Sequence, residues 1–244
     1  MRPLNETVDQ TQRTYARLAG VLLLGAIFIA LGSGAILSHI AGDGTFAQTA
    51  ARIGVSERLY RAALSSAVIV SLSSSLLAFA LYVTLKPVNG PLAQLAMIFN
   101  LGDSFIALMV RTCGFVRLHL YISAQSAGAG SLNAEALTGL VRSVASTAEN
   151  IGGISFGIGS CLFFYLFLKS RYIPRSISIL GLIAAAIWTV MYFANLLFPE
   201  HHSLFQYICF PPMLLAEVVS GFYLLLFAVG RNTKTPAAST FSPR

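Results

Sequence analysis

Charge is scarce in this chain. Only 10% of its 244 residues are Asp, Glu, Lys or Arg, whereas a soluble domain usually carries about 25%. Hydrophobic residues make up 56% of the chain, and they gather in long uncharged runs that require lipid as their solvent. The shortage of charge therefore excludes an ordinary soluble domain and predicts a membrane protein whose surface contacts lipid.

Cysteine is scarce as well, and no metal-binding spacing occurs. The three cysteines, Cys113, Cys161 and Cys209, all lie in apolar runs, and the chain has no CxxC motif. We interpret them as buried, unreactive thiols, because a free cysteine behaves as a small hydrophobe. A disulfide between Cys113 and Cys209 is the alternative. The sequence thus predicts no cofactor.

The chain also lacks a polar stretch long enough to form a second domain. Six apolar runs fill most of it, at residues 18–40, 62–85, 91–121, 149–168, 177–198 and 210–230. Each is close to the ~20 residues that a helix needs to cross the hydrocarbon, and lipid offers no partner for the backbone groups of any open structure. Pro211 and Pro212 are expected in the first turn of the sixth helix, where a missing N–H donor costs little. The prediction is an all-α, polytopic membrane bundle of six transmembrane helices at 18–230, with an N-terminal segment at 1–17 and a disordered tail at 231–244.

The net charge of +7 indicates topology rather than nucleic-acid binding, because the basic residues lie in short connections between the apolar runs. Ten Lys and Arg residues lie in the two termini and the turns at 86–91 and 169–175, against four in the segments 41–61 and 122–148. Cytoplasmic loops carry the excess of Lys and Arg. We therefore expect both termini inside the cell and the two longer segments outside.

Five short motifs, in this order and at this spacing, resemble a known family. They are YARLAG at 15–20, LKPVN at 85–89, KSRYIPR at 169–175, ANLLFP at 194–199 and PPMLLAE at 211–217. Over residues 15–230 the chain resembles the DUF4386 family of bacterial membrane proteins. The resemblance implies a six-helix protein of the bacterial inner membrane. The family has no assigned activity, so the resemblance implies no catalytic residues.

Four of the ionisable residues inside the apolar runs are candidates for function, namely Asp103, Arg111, Glu149 and Glu217. Such a group at the centre of a span costs about 2.5–3.5 kcal/mol, which makes each a functional candidate. At about 1.5 Å per residue, Asp103 and Glu217 both lie about 18–20 Å from the cytoplasmic end of their helices. Two carboxyl groups at one depth can share or pass a proton, so these two helices are expected to face each other.

Other polar residues extend this predicted site. Asn100 lies one turn below Asp103, and Arg111, Glu149 and Asn195 lie in a layer about 30 Å from the cytoplasmic end. A purely structural interpretation remains open, in which Arg111 pairs with Glu149 or with Asp103 to join two helices, and Asp103 and Glu217 are protonated and hydrogen-bonded to nearby hydroxyl groups.

The four histidines, His39, His119, His201 and His202, all fall on the predicted outer side. Together with carboxylates they are weak candidates for a zinc or copper site. No helical His spacing occurs, and we favour their interpretation as interfacial residues.

Gly153 and Gly157 form a GxxxG pair in the fourth apolar run. Small residues at this spacing allow helices to approach closely. We expect packing within the monomer rather than a dimer face. A phosphate loop is excluded because the GK[ST] ending is absent.

Three functions are compatible with this pattern. The first is binding or transport of a small molecule or ion through the polar interior at Asn100, Asp103, Arg111 and Glu217. The second is an intramembrane enzyme, metal-assisted if the outer histidines bind a metal. The third is a non-catalytic accessory or sensory protein that acts through helix contacts.

Overall fold

The computed structural model describes residues 10–127 and 131–229. Within them the chain forms seven helices and a short 3-10 turn at Pro199–His201. The helices are α1 (Gln10–Ala41), α2 (Phe46–Val55), α3 (Glu57–Leu85), α4 (Gly90–Ala127), α5 (Ser131–Ser170), α6 (Arg175–Leu197) and α7 (His202–Phe227). All except α2 are long and apolar enough to cross a membrane. The prediction of six spanning helices is confirmed for this part of the chain, while the predicted tail at 231–244 lies outside it.

The six long helices pack as a closed ring. Each packs against the next long helix along the chain, and α7 returns to pack against α1. Gly20 makes this closure possible, because a Cβ at Gly20 would lie 2.6 Å from the backbone nitrogen of Leu225. Successive helices run antiparallel, so polar side chains from distant parts of the sequence can meet at one depth inside the ring. We call the end where α1 begins and α7 ends the terminal end, and the opposite end the hairpin end.

Glycines on two faces of α5 let that helix pack tightly between α4 and α6. A Cβ at Gly153 would overlap the ring of Tyr192, and one at Gly157 would lie 3.1 Å from the backbone nitrogen of Thr189. On the other face, Gly159 lies against the Asn100 side chain of α4. The expected packing role of the GxxxG pair within the monomer is confirmed.

The helices extend further than the apolar runs. The sequence left the fold of segment 122–148 open, and α4 and α5 continue into it, reaching about 57 and 60 Å at 1.5 Å per residue. The hydrocarbon core is only about 30 Å thick.

Segment 41–61, expected to be a connection, contains α2, which begins with a capping box at Thr45 and Gln48. α2 and the ends of α1, α3 and α4 share a small apolar core at the hairpin end that includes Ile53 and Leu118.

One expectation for the helices was wrong, and one alternative for the cysteines is excluded. Pro211 and Pro212 lie inside α7 rather than in its first turn, because the helix already begins at His202, ahead of the apolar run. The alternative disulfide between Cys113 and Cys209 is absent, and all three cysteines are free. Cys209 is buried as expected, whereas Cys113 and Cys161 are only half-buried. Cys113 and Cys209 belong to α4 and α7, which pack mainly on other helices of the ring.

Candidate functional site

A cavity of about 220 Å³ lies inside the ring, and residues of α1, α3, α4, α5 and α7 line it. Its walls are largely apolar, with four phenylalanines from α5. Its polar lining consists of Ser74, Asn100, Asp103, Ser104, Ser160, Glu217 and Ser220. We call it the acidic cavity because Asp103 and Glu217 are its only ionisable lining residues in the described part of the chain.

Asp103 and Glu217 reach the acidic cavity from helices that face each other across the ring. α4 packs mainly on α3 and α5, and α7 packs on α1 and α6. The half-buried carboxyl groups nevertheless line one space. The structure therefore brings these two predicted residues together through a cavity rather than through helix contact.

The helix backbone and the glycines of α5 hold the polar groups of α4 in place. Asn100 donates a hydrogen bond from Nδ2 to the carbonyl oxygen of Ala96 at 3.0 Å, and Ser104 donates to the carbonyl oxygen of Asn100 at 2.9 Å. Asp103 lies against Gly152, where an added Cβ would come within 3.0 Å of its Oδ1. A larger residue at position 152 would push this carboxyl group away from α5.

Ser220 completes the cavity from α7. Its side chain is only 3% exposed, and its hydroxyl oxygen is buried without a hydrogen-bond partner. It lies three residues after Glu217, so both fall on one face of the helix. The sequence carried this signal as an acid and a hydroxyl at helical spacing, but Ser220 was missed because serines are common throughout the spans.

A second cavity of similar volume, about 220 Å³, adjoins the first on the side of the hairpin end. It shares Ser74, Asp103 and Ser104 with the acidic cavity and adds Arg111, Glu149, Trp188 and Tyr192. We call it the arginine cavity. Nε of Arg111 and Nε1 of Trp188 are buried without hydrogen-bond partners, so two of the lining residues carry an unpaired donor. Trp188 had no role assigned from sequence.

The interhelical ion pair considered for Arg111 is not formed. Among the described residues an ion pair joins Arg61 to Glu57 at 2.7 Å, and none joins Arg111 to Glu149 or to Asp103. The α4–α5 packing sets Gly152 against Asp103 and Ile106, which leaves Glu149 on an exposed part of α5. Both residues line the arginine cavity without contacting each other.

Asn195 lies apart from both cavities. It is 2% exposed, and neither its amide nitrogen nor its amide oxygen has a hydrogen-bond partner. The antiparallel α5–α6 packing sets Gly153 against Tyr192 and Gly157 against Thr189, and counting three residues further along each helix gives Asn150 and Asn195 the same level. Asn150, also buried with an unpartnered amide oxygen, was missed in the sequence.

The candidate metal ligands do not come together in the described part of the chain. His39 and His119 are exposed near the hairpin end. The side chains of His201 and His202 lie outside the described residues. Where side chains are described, no group of three His, Cys, Asp or Glu residues is arranged to hold a metal ion.

The six spanning helices and the internal polar cavities define a multi-pass helical membrane protein. The chain belongs to the family described as Domain of unknown function (DUF4386), which matches residues 18–228. No curated protein and no solved structure was found to match the chain.

Proposed function

We propose that the protein binds a small molecule or ion in the acidic cavity and moves it across the membrane. The observation that carries this proposal is the position of Asp103 and Glu217 on one cavity inside the ring. Few charged residues are expected inside the spans, because inserting each one into the membrane costs free energy. Two carboxyl groups from distant parts of the sequence on the same space are therefore best explained by a ligand or a transferred proton.

The main alternative is that both acids serve only the packing of the bundle. A charged structural acid in a span is expected to be paired within the protein. No ion pair engages Asp103 or Glu217 in the part of the chain that the structure describes. This favours a functional role, since helix packing alone does not require an unpaired carboxyl group.

Proton flux into proteoliposomes tests the proposal. The purified protein is reconstituted into vesicles that contain a pH-sensitive dye, and a potassium diffusion potential drives proton entry. We expect uptake above that of protein-free vesicles, and we expect Asp103→Asn and Glu217→Gln to reduce it to that background. Glu135→Gln is the control, because Glu135 is an exposed acid of α5 outside both cavities.

Two outcomes of the flux measurement would contradict a proton pathway through the acidic cavity. If Asp103→Asn supports the same protein-dependent flux as the unmodified chain, a proton pathway through Asp103 is wrong. If the unmodified protein gives no flux above protein-free vesicles, a proton pathway through the acidic cavity is wrong, and the cavity must take a ligand other than a proton.

The proposal includes an orientation. Both termini lie in the cytoplasm and the protein resides in the bacterial inner membrane. The support is the excess of Lys and Arg at the terminal end, where the turns at 86–91 and 169–175 also lie. The hairpin end, with α2 and the long ends of α4 and α5, then faces outward.

A further inference from the structure

We infer that the ligand of the acidic cavity is a monovalent organic cation, an ammonium group on a small apolar body. This assignment rests on the proposed function, because it names the class of molecule that the same cavity takes. It is drawn from the charge of the lining, from an unpartnered hydroxyl group, and from the size and apolar character of the walls.

The charge of the cavity lining favours a cationic ligand. Asp103 and Glu217 line the acidic cavity, and among the residues that the structure describes no Lys, Arg or His lines it. Arg111, the nearest candidate, lies in the adjoining arginine cavity and forms no ion pair with Asp103. Buried charges need a partner, and this lining offers none to the carboxyl groups. A cationic ligand supplies what the protein lacks.

The hydroxyl group of Ser220 is independent of the two acids. Its oxygen is buried with no hydrogen-bond partner among the described residues, and the residue belongs to the lining of the acidic cavity, as Glu217 does. Two further lining serines, Ser74 and Ser104, donate to carbonyl oxygens of their own helices, at 3.0 and 2.9 Å. Ser220 thus keeps a hydrogen-bonding group uncommitted within one turn of Glu217.

The apolar walls of the acidic cavity favour an organic cation over an inorganic one. An alkali or alkaline-earth ion needs several oxygen ligands around it, but most of this lining is apolar. Phe156, Phe163, Phe164 and Phe167 contribute aromatic rings, whose faces attract cations. The volume of about 220 Å³ corresponds to about seven water molecules at ~30 Å³ each. A single small organic molecule fills such a space.

Three probes of nearly equal size but different charge test the effect of charge on binding, namely benzylammonium, benzyl alcohol and benzoate. Equilibrium dialysis against the full-length protein in lipid nanodiscs measures binding, with protein-free nanodiscs as the blank. Trp188 is the single tryptophan of the chain, and its ring lies 6.0 Å from that of Phe156, which lines the cavity. A change in Trp188 emission therefore reports that a probe has entered the ring.

We expect benzylammonium to bind about tenfold more tightly than benzyl alcohol and benzoate to bind most weakly. Asp103→Asn and Glu217→Gln should each remove most of this preference. Both variants should keep the weak binding of benzyl alcohol, which shows that the apolar walls have folded. Ser220→Ala should weaken benzylammonium binding by a smaller factor, and Glu135→Gln should leave all three affinities unchanged.

The outcomes distinguish this inference from the proposed function. If benzyl alcohol or benzoate binds as tightly as benzylammonium, the cavity takes a ligand but the assignment to cations is wrong. If Asp103→Asn and Glu217→Gln bind benzylammonium as the unmodified chain does, the two acids do not select the charge. If none of the three probes binds, the small-molecule site itself is overturned.

Discussion

Asp103 owes its position to a residue without a side chain. Gly152 of α5 lies against it, and a Cβ there would come within 3.0 Å of Asp103 Oδ1 and 3.1 Å of Ile106 Cγ2. We predict that Gly152→Ala displaces the carboxyl group and weakens benzylammonium binding about tenfold, which corresponds to about 1.4 kcal/mol. Equilibrium dialysis in nanodiscs measures the effect.

Gly102→Ala is the matched control for this prediction. Gly102 precedes Asp103 on α4, and a Cβ added to it would meet nothing within 4 Å. It should bind benzylammonium like the unmodified chain. Equal affinities for the two alanine variants would contradict the claim that Gly152 positions Asp103.

At the residue scale the sequence predicted how deep a side chain lies along its helix better than it predicted which side chains touch. Counting residues placed Asp103 and Glu217 in one layer, because the rise of a helix is constant, and the two carboxyl groups line one cavity. Whether Arg111 touches Glu149 depends on how α4 and α5 are rotated about their axes. That rotation follows from glycines packing against a partner helix, which a single sequence does not identify.

Among the helices, α5 has the most restricted packing, because both α4 and α6 approach its glycines. Gly157→Ala would place a Cβ at 3.1 and 3.2 Å from the backbone nitrogen and Cα of Thr189, and a helix backbone cannot move aside as a side chain can. We predict a loss of stability of about 1–3 kcal/mol, as is typical of overpacking. The midpoint of thermal unfolding in detergent, followed by circular dichroism, measures it.

Gly139→Ala on the same helix shows what the substitution does without a neighbour. A Cβ at Gly139 would meet nothing within 4 Å, and alanine favours a helix over glycine by up to about 1 kcal/mol. This variant should unfold at the same or a higher temperature. The packing argument fails if Gly157→Ala is as stable as Gly139→Ala.

At the element scale the sequence predicted the number of spanning helices but not their lengths. Lipid requires an apolar run for each crossing, so six runs gave six spans. Beyond the lipid a helix continues as long as it packs, and α4 and α5 support each other past 121 and before 149. The position of Pro211 inside α7 was missed for the same reason, since the residues that begin this helix lie outside the apolar run.

The molecule as a whole is a ring in which α7 closes against α1, and this arrangement gives the acids a common space. The sequence indicated a polar interior but not a ring, because the order of helices around a bundle depends on which faces pack together. The closure at Gly20 joins residues about two hundred positions apart, a contact that local patterns do not contain. The cavity is therefore a property of the closed ring and not of any one helix.

The orientation of this ring is the prediction for the whole molecule. Lys and Arg gather at the terminal end, and such an excess marks the cytoplasmic side. In a bacterial host, green fluorescent protein fused after residue 244 should fluoresce and alkaline phosphatase at the same point should be inactive. Alkaline phosphatase inserted at residue 44, in the connection before α2, should be active because that connection lies at the hairpin end. The opposite pattern of activities would show that the termini face outward, and protons driven by the membrane potential would then enter the acidic cavity from the terminal end instead of the hairpin end.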